Sequence, residues 1–254
     1  MLASGSSGNA ALLATENTRV LVDAGLSMRE LGKRLAAIGE DLKRVDAILI
    51  THEHSDHVSG LPVLARNKDI HATIFMTRLT APAIDWGEVP PQRLEPFQAG
   101  ASFQIGDIAV QSFGIPHDAI DPVGYAFVAQ GVRIGIATDL GYIPESVKFH
   151  LRRVDLLLLE ANHDLDMLKV GPYPWPVKQR VMSRVGHLSN LVMSDYLMQD
   201  LDSSTANVVL GHLSEQNNHP EIVRMIATQT LEERGIAARL TIAEQRTPSP
   251  VFQY

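Results

Sequence analysis

The 254-residue chain is long enough to bury a substantial core, as one large or two small domains. Its 22 Lys and Arg against 29 Asp and Glu give a net charge of −7, the wrong sign for a protein that coats nucleic acid nonspecifically. The absence of cysteine excludes a disulfide framework and thiolate metal sites, fits a reducing compartment, and leaves His, Asp and Glu as the strong ligands. The first residues show no basic region followed by an apolar core, and no run reaches the ~18 apolar residues that would span a bilayer, so a cytoplasmic protein without membrane contact is expected.

Ser4-Gly5-Ser6-Ser7-Gly8-Asn9 has the composition of a flexible linker. It leads directly into Ala10 to Ala14 and then Val20-Leu21-Val22-Asp23, two apolar runs joined by a polar turn, which predicts a hairpin. Ser27 to Glu30 has capping-box spacing, and Met28, Leu31, Leu35 and Ile38 repeat at helical intervals until Gly39. The strand Ala47 to Ile50 follows, so strand, helix and strand alternate. Further expectations are a helix over Val58–Arg66, a strand over Thr73–Met76, a helix over Leu79–Trp86 and a proline-rich connection over Gly87–Phe97.

From Ala101 onward the pattern changes to short strands: Ala101–Ile105, Ile108–Phe113, Gly124–Ala129 and Val132–Ala137, with Gly106-Asp107 and Gln130-Gly131 as turns. A strand Leu156–Leu159 ends in Glu160, and a helix-rich stretch His163–Gln199 is interrupted by prolines at 172, 174 and 176. Strand Val208–Leu210, helix Pro220–Arg234 and strand Leu240–Ala243 close the chain. Strands and helices recur in two blocks, about 1–105 and 106–254, without a linker, which suggests two halves of a single domain.

The chemistry concentrates in Thr51-His52-Glu53-His54-Ser55-Asp56-His57, directly behind an apolar strand. Three of the ten histidines and a carboxylate in one tight loop are hard to explain as packing, because unpaired imidazoles are expensive to bury, whereas a divalent metal turns that cost into binding energy. Asp23, His117, Asp139 and His212 share one placement, an ionisable residue in a sharp turn behind a strand. A capping or turn-stabilising role is the competing reading for each alone.

Together, Asp23, His52-x-His54-x-Asp56-His57, His117, Asp139 and His212 resemble the metallo-β-lactamase fold superfamily through nearly the whole chain. The resemblance implies an α/β fold, a four-layer αββα sandwich with two metal ions at the sheet edges. Within it, Ser4 to Asn9, Glu160-Ala161-Asn162-His163-Asp164, Gly186-His187-Leu188-Ser189-Asn190 and His212 to Asn218 resemble the YycJ/WalJ group of bacterial hydrolases, a branch near tRNase Z. Members are regarded as metal-dependent phosphodiesterases, with 5′-to-3′ DNA exonuclease activity proposed for the group.

The resemblance assigns His52, His54 and His117 to one metal and Asp56, His57 and His212 to the other, with Asp139 bridging. Two cations ~3.5–4 Å apart acidify a bridging water, so that a hydroxide serves as nucleophile, and stabilise the leaving oxygen. Zinc and manganese both suit an all-N/O set. Asp56 also orients the water, and Asp23 fixes the tautomer of a ligand imidazole. His187 is the candidate general acid, kept protonated by Glu160, though Gly186 to Ser189 also reads as a helix entry.

Asn162 and His163 either line the cleft or stabilise their loop. Ser6 and Asn9 stand in a loop that either receives a phosphate or forms a structural turn. Tyr173 and Trp175 offer a stacking surface for a base or pack the loop down, and Lys178, Arg180 and Arg184 track a phosphate backbone or form a solvated face. His71, His150 and His219 receive no role. The 73 residues from Asp139 to His212 are too few for the inserted domain of RNase J-like nucleases, and no long arm of the tRNase Z kind is present. The expected function is a dinuclear phosphodiesterase acting on single-stranded DNA. The alternatives are a hydrolase of a small cyclic phosphodiester, ester, lactone or thioester, and a non-catalytic metal-binding scaffold; the oligomeric state is left open.

Overall fold

The computed structural model describes residues 1–87 and 93–254. Among them, β1 (Ala11–Ala14), β2 (Arg19–Val22), β3 (Ala47–Leu49), β4 (Thr73–Thr77) and β5 (Leu94–Phe97) form a five-stranded sheet in that order. A seven-stranded sheet has the order β12-β11-β10-β9-β8-β7-β6, from β6 (Ser102–Ile105), β7 (Ile108–Gly114), β8 (Val123–Ala129), β9 (Val132–Ala137), β10 (Leu156–Glu160), β11 (Asn207–Gly211) and β12 (Arg239–Ile242). The chain passes from the first sheet to the second between Phe97 and Ser102.

Alternation along the strands produces the layers. Successive side chains point to opposite faces, so a strand buried on both sides reads as a continuous apolar run that serves two cores. In the first sheet, Leu21, Ile48 and Ile50 pack against Leu31 and Leu35 of α1 (Met28–Ala37) and Leu61 and Leu64 of α3 (Leu61–Arg66), which follows the short α2 (Ser55–Val58). Val20, Val22, Ala47 and Leu49 point the other way and meet Tyr125, Phe127, Leu158 and Val209 of the second sheet.

On the far side of that sheet, Leu157, Leu159 and Leu210 pack with Val147 of α4 (Glu145–His150), Met193 and Leu197 of α7 (Asn190–Gln199), and Val223, Ala227 and Leu231 of α8 (Pro220–Glu233). These three interlayer cores make the four-layer αββα sandwich. Each fully buried Leu or Val in them contributes about 1.5–3 kcal/mol.

Several local expectations give way. Val58–Arg66 is split into α2 and α3 at Gly60, where a Cβ would collide with the Leu26 carbonyl. Leu79–Trp86 holds only a 3-10 turn over Ala81–Ala83, which includes Pro82. Of the connection expected over Gly87–Phe97, residues 88–92 lie outside the described residues, and Leu94–Phe97 is β5, an edge strand that tolerates Pro96. The stretch 163–199 contains α5 (Leu165–Val170) and α6 (Trp175–Val181); prolines start α6 rather than stop it, because a proline in the first turn gives up no hydrogen bond. α4 was not expected. Among the described residues no helix is long and apolar enough to cross a membrane.

Candidate metal centre

The parallel registers place the carboxyl ends of β2 and β3 together in one sheet and those of β9, β10 and β11 together in the other, the end where such sheets carry their sites. Three residues leave their strands there in the left-handed conformation: Asp23 (φ 61°), Asp139 (φ 62°) and His212 (φ 56°). For a non-glycine residue this costs about 1 kcal/mol or more, and such strain gathers at functional sites. Hydrogen bonds hold the turns. Asp23 N donates to Leu49 O (2.8 Å) and His212 N donates to Ser4 Oγ (2.7 Å).

The side chains then converge. His52, His54 and His117 bring ring nitrogens together, Asp56 brings a carboxylate oxygen to the ring nitrogens of His57 and His212, and Asp139 joins His52 and His57 in one grouping and Glu160, His187 and His212 in another; within each group the candidate ligand atoms lie within 4.8 Å of one another. His117 Nε2 is 3.2 Å from His54 Nδ1, and His212 Nε2 is 3.3 Å from Asp56 Oδ2 and 3.2 Å from Asp139 Oδ1.

Neighbours fix the rings. Asp23 Oδ2 lies 2.8 Å from His57 Nδ1, while Asp23 Oδ1 accepts from Thr51 N at 2.8 Å, so Nε2 is the nitrogen His57 turns to the cluster, 3.3 Å from Asp139 Oδ2. Gly186 O sits 3.2 Å from His117 Nδ1, and Thr51 Oγ1 sits 3.0 Å from His52 Nδ1. Thr51, Ser4 and Gly186 fall in stretches the sequence singles out, but their roles in holding His52, His212 and His117 appear only in the fold.

The donor set fits divalent metal. His52 Nε2 and Asp139 Oδ2 are buried and find no hydrogen-bond partner among the described residues. Burial, helped by the nearby His57 and His117, pushes His52 well below the usual imidazole range, leaving it in the neutral form a ligand needs. Burial also opposes charge on His57 and His212, but Asp139 beside both, with Asp23 and Asp56, outweighs it and raises them. Burial of Asp56 is likewise overcome by its contacts with His212 and His57, which hold its carboxyl far below the usual range. Imidazoles set among buried carboxylates favour positive charge here, and a divalent cation bound at this place would displace their protons.

His187 stands beside this cluster, its Nδ1 2.7 Å from Glu160 Oε1 and 3.7 Å from Asp139 Oδ1. Glu160 is fully buried, and Leu140 N (2.9 Å) and Leu188 N (3.2 Å) donate to its Oε2. Burial works against charge on both partners, yet their mutual attraction lowers Glu160 and raises His187.

The remaining expected residues are placed differently. Asn162 Nδ2 donates to His212 O (2.9 Å), and His163 is buried with Nδ1 unpartnered among the described residues. Asn9 is buried; its Oδ1 accepts from Gly5 N (2.8 Å) and its Nδ2 reaches Asp56 Oδ2 (3.2 Å), whereas Ser6 is exposed. Trp175 is exposed and Tyr173 half-buried. His150 stacks on Phe113, and His219 caps α8.

The family described as Beta-lactamase superfamily domain matches residues 18–212. A protein of Bacillus anthracis named Exodeoxyribonuclease YycJ is 38% identical over 241 residues, covering 92% of this chain and 89% of the relative. Exodeoxyribonuclease WalJ of Streptococcus pneumoniae is 39% identical over 238 residues, covering 93% and 88%. Among solved structures, the metallo-β-lactamase fold protein YhfI from Bacillus subtilis superposes with a TM-score of 0.74 at 17% identity over 96% of this chain and 93% of that one, a likeness of fold. The chain belongs to the β-lactamase superfamily, as a YycJ/WalJ-like metal-dependent hydrolase of the metallo-β-lactamase fold.

Proposed function

We propose that this protein is a dinuclear metal-dependent phosphodiesterase that degrades single-stranded DNA from its 5′ end. The observation that carries the reading is the pair of buried Glu160 and partly exposed His187 standing against the ligand cluster, since a phosphodiester needs a proton for its departing alkoxide. The names of the relatives YycJ and WalJ supply the substrate class.

His52, His54 and His117 would hold one cation, Asp56, His57 and His212 the other, and Asp139 both, with zinc or manganese as the candidates. Bound there, two cations supply Lewis acidity to the phosphoryl oxygens and acidify a water. Asp23, Thr51 and the Gly186 carbonyl orient the imidazoles, and Asp56 orients the attacking water. Glu160 keeps His187 protonated through Nδ1, so Nε2 delivers the proton to the departing oxygen. Release of that oxygen leaves His187 neutral, and solvent reprotonates it through its partly exposed ring.

The test is metal-reconstituted protein assayed on end-labelled single-stranded DNA beside bis(p-nitrophenyl) phosphate and a panel of lactones. Stepwise loss of nucleotides from the 5′ end is expected. Lactone turnover without phosphodiester cleavage overturns the reading.

A further inference from the structure

We propose that the strap running from Arg180 to His187 is the grip for a single-stranded polynucleotide, with Arg180 and Arg184 holding phosphates that flank the scissile one. The proposal rests on the nuclease reading above and names the residues that would separate a polymer substrate from a small one.

The strap leaves the end of α6 and is docked on two loops that carry expected ligands. Asp118 N, next to His117, donates to Val185 O (2.9 Å), and Gly186 O faces His117 Nδ1. Gly141, two residues after Asp139, lies so close to the backbone of Ser183 and Arg184 that a Cβ there would collide with it. The strap is therefore held at the rim of the cluster.

Its two arginines are tied to the same loops. Arg180 Nε pairs with Asp118 Oδ2, and the other oxygen of that carboxylate is 3.5 Å from His117 Nε2. The side chain is still 65% exposed, and among the described residues its two terminal nitrogens donate to no partner. The Arg184 guanidinium lies 4.2 Å over the ring of Tyr142, three residues beyond Asp139. Stacking leaves the N–H edges of a guanidinium open.

A guanidinium held by one edge offers the other to phosphate oxygens in paired geometry, and pre-orientation removes much of the ordering cost that makes ordinary surface arginines weak binders. On a chain of net charge −7, these fastened cations give a polyanion a local place to dock. Lys178 is excluded from the grip: its side chain is buried and its Nζ donates to Lys169 O (2.7 Å) at the end of α5. Val185 on the strap and Ile120 on the His117 loop are 44% and 56% exposed, apolar side chains at this rim against which an unpaired base can shed water.

The experiment compares the metal-loaded protein with Arg180→Gln, Arg184→Gln and Arg180→Lys. Binding of a phosphorothioate-linked oligothymidylate is followed by fluorescence anisotropy across a series of KCl concentrations, beside turnover of an ordinary oligonucleotide and of bis(p-nitrophenyl) phosphate. The slope of log affinity against log salt is expected to become shallower by about 0.7 for each arginine replaced by glutamine. KM for the oligonucleotide should rise roughly tenfold with kcat within about twofold. Turnover of the small diester should be unchanged, and Arg180→Lys should restore the slope.

An unchanged slope and KM in both glutamine variants overturns the proposal. So does an equal loss on polymer and small diester, which would make the arginines supports of the metal centre. Unaltered protein that turns over the small diester but neither binds nor cuts the oligonucleotide overturns the nuclease reading itself, and the grip with it.

Discussion

His187 and Glu160 form a fixed pair: Nδ1 and Oε1 are 2.7 Å apart, and two backbone N–H groups hold the other carboxylate oxygen, so the carboxylate cannot turn away from the imidazole. The carboxylate is fully buried and the ring partly exposed, an arrangement that keeps a proton on a group solvent can reach.

A proton donor predicts a particular pattern of loss. His187→Ala should lower kcat on single-stranded DNA by at least about tenfold while metal content stays at the wild-type value, and Glu160→Gln should lower kcat in the same direction. Elemental analysis beside steady-state kinetics checks both. Loss of a metal ion from His187→Ala would instead make this imidazole a ligand, a role its proximity to Asp139 and His212 would permit.

Asp23 allows its hydrogen bond to be separated from its backbone. Asparagine tolerates the left-handed conformation at φ 61°, so Asp23→Asn should keep the turn while offering His57 Nδ1 an amide in place of a carboxylate oxygen. Metal affinity should fall by about 10–100-fold, read by competition with a chromogenic chelator. An affinity within twofold of wild type would show that the turn, and not the charge, is what Asp23 supplies.

Removing metal should cost stability. The apoprotein retains buried carboxylates and imidazoles that satisfy one another only in part, with no hydrogen-bond partner for His52 Nε2 or Asp139 Oδ2 among the described residues. Chelation should lower Tm, and readdition of zinc or manganese at a thousandfold excess over Kd should restore about 4 kcal/mol. Calorimetry of the two forms provides the comparison, with an unchanged Tm as the contrary outcome.

His163 sets an acid limit on the fold. Burial lowers its pKa to about 4, so the native ring binds its proton less readily than the unfolded one. Between about pH 6.5 and pH 4 the unfolded state holds more protons, and stability should fall with falling pH by about 3 kcal/mol from this residue. Denaturant midpoints of chelated wild type and His163→Gln across that range should show a shallower pH dependence in the variant. Parallel curves would show that His163 does not contribute to the acid sensitivity of the fold.

Residues whose chemistry is local were readable beforehand. The dense loop from His52 to His57, and the repeated placement of Asp23, Asp139 and His212 behind apolar strands, carried the candidate centre, because strand ends are marked by where hydrophobic runs stop. β2, β3 and β10 were legible for the same reason. What stayed hidden was held at a distance: Ser4 supports His212 across 208 residues, and Gly186 acts through a carbonyl that every residue possesses. Proline misled at both β5 and α6, since an edge strand and a first helical turn each accept it at no cost in hydrogen bonds. The αββα layering came from resemblance, and the alternation of Leu157 and Leu159 against Leu156 and Leu158 explains it physically.

Seven side chains from His52 to His212 are proposed to hold a pair of divalent ions. Anomalous diffraction from crystals of the metal-loaded protein would locate them. Two peaks about 3.5–4 Å apart are expected, one against His52, His54 and His117, the other against Asp56, His57 and His212, with Asp139 between them. A cluster without anomalous density, or with ions seated on other residues, would contradict this assignment.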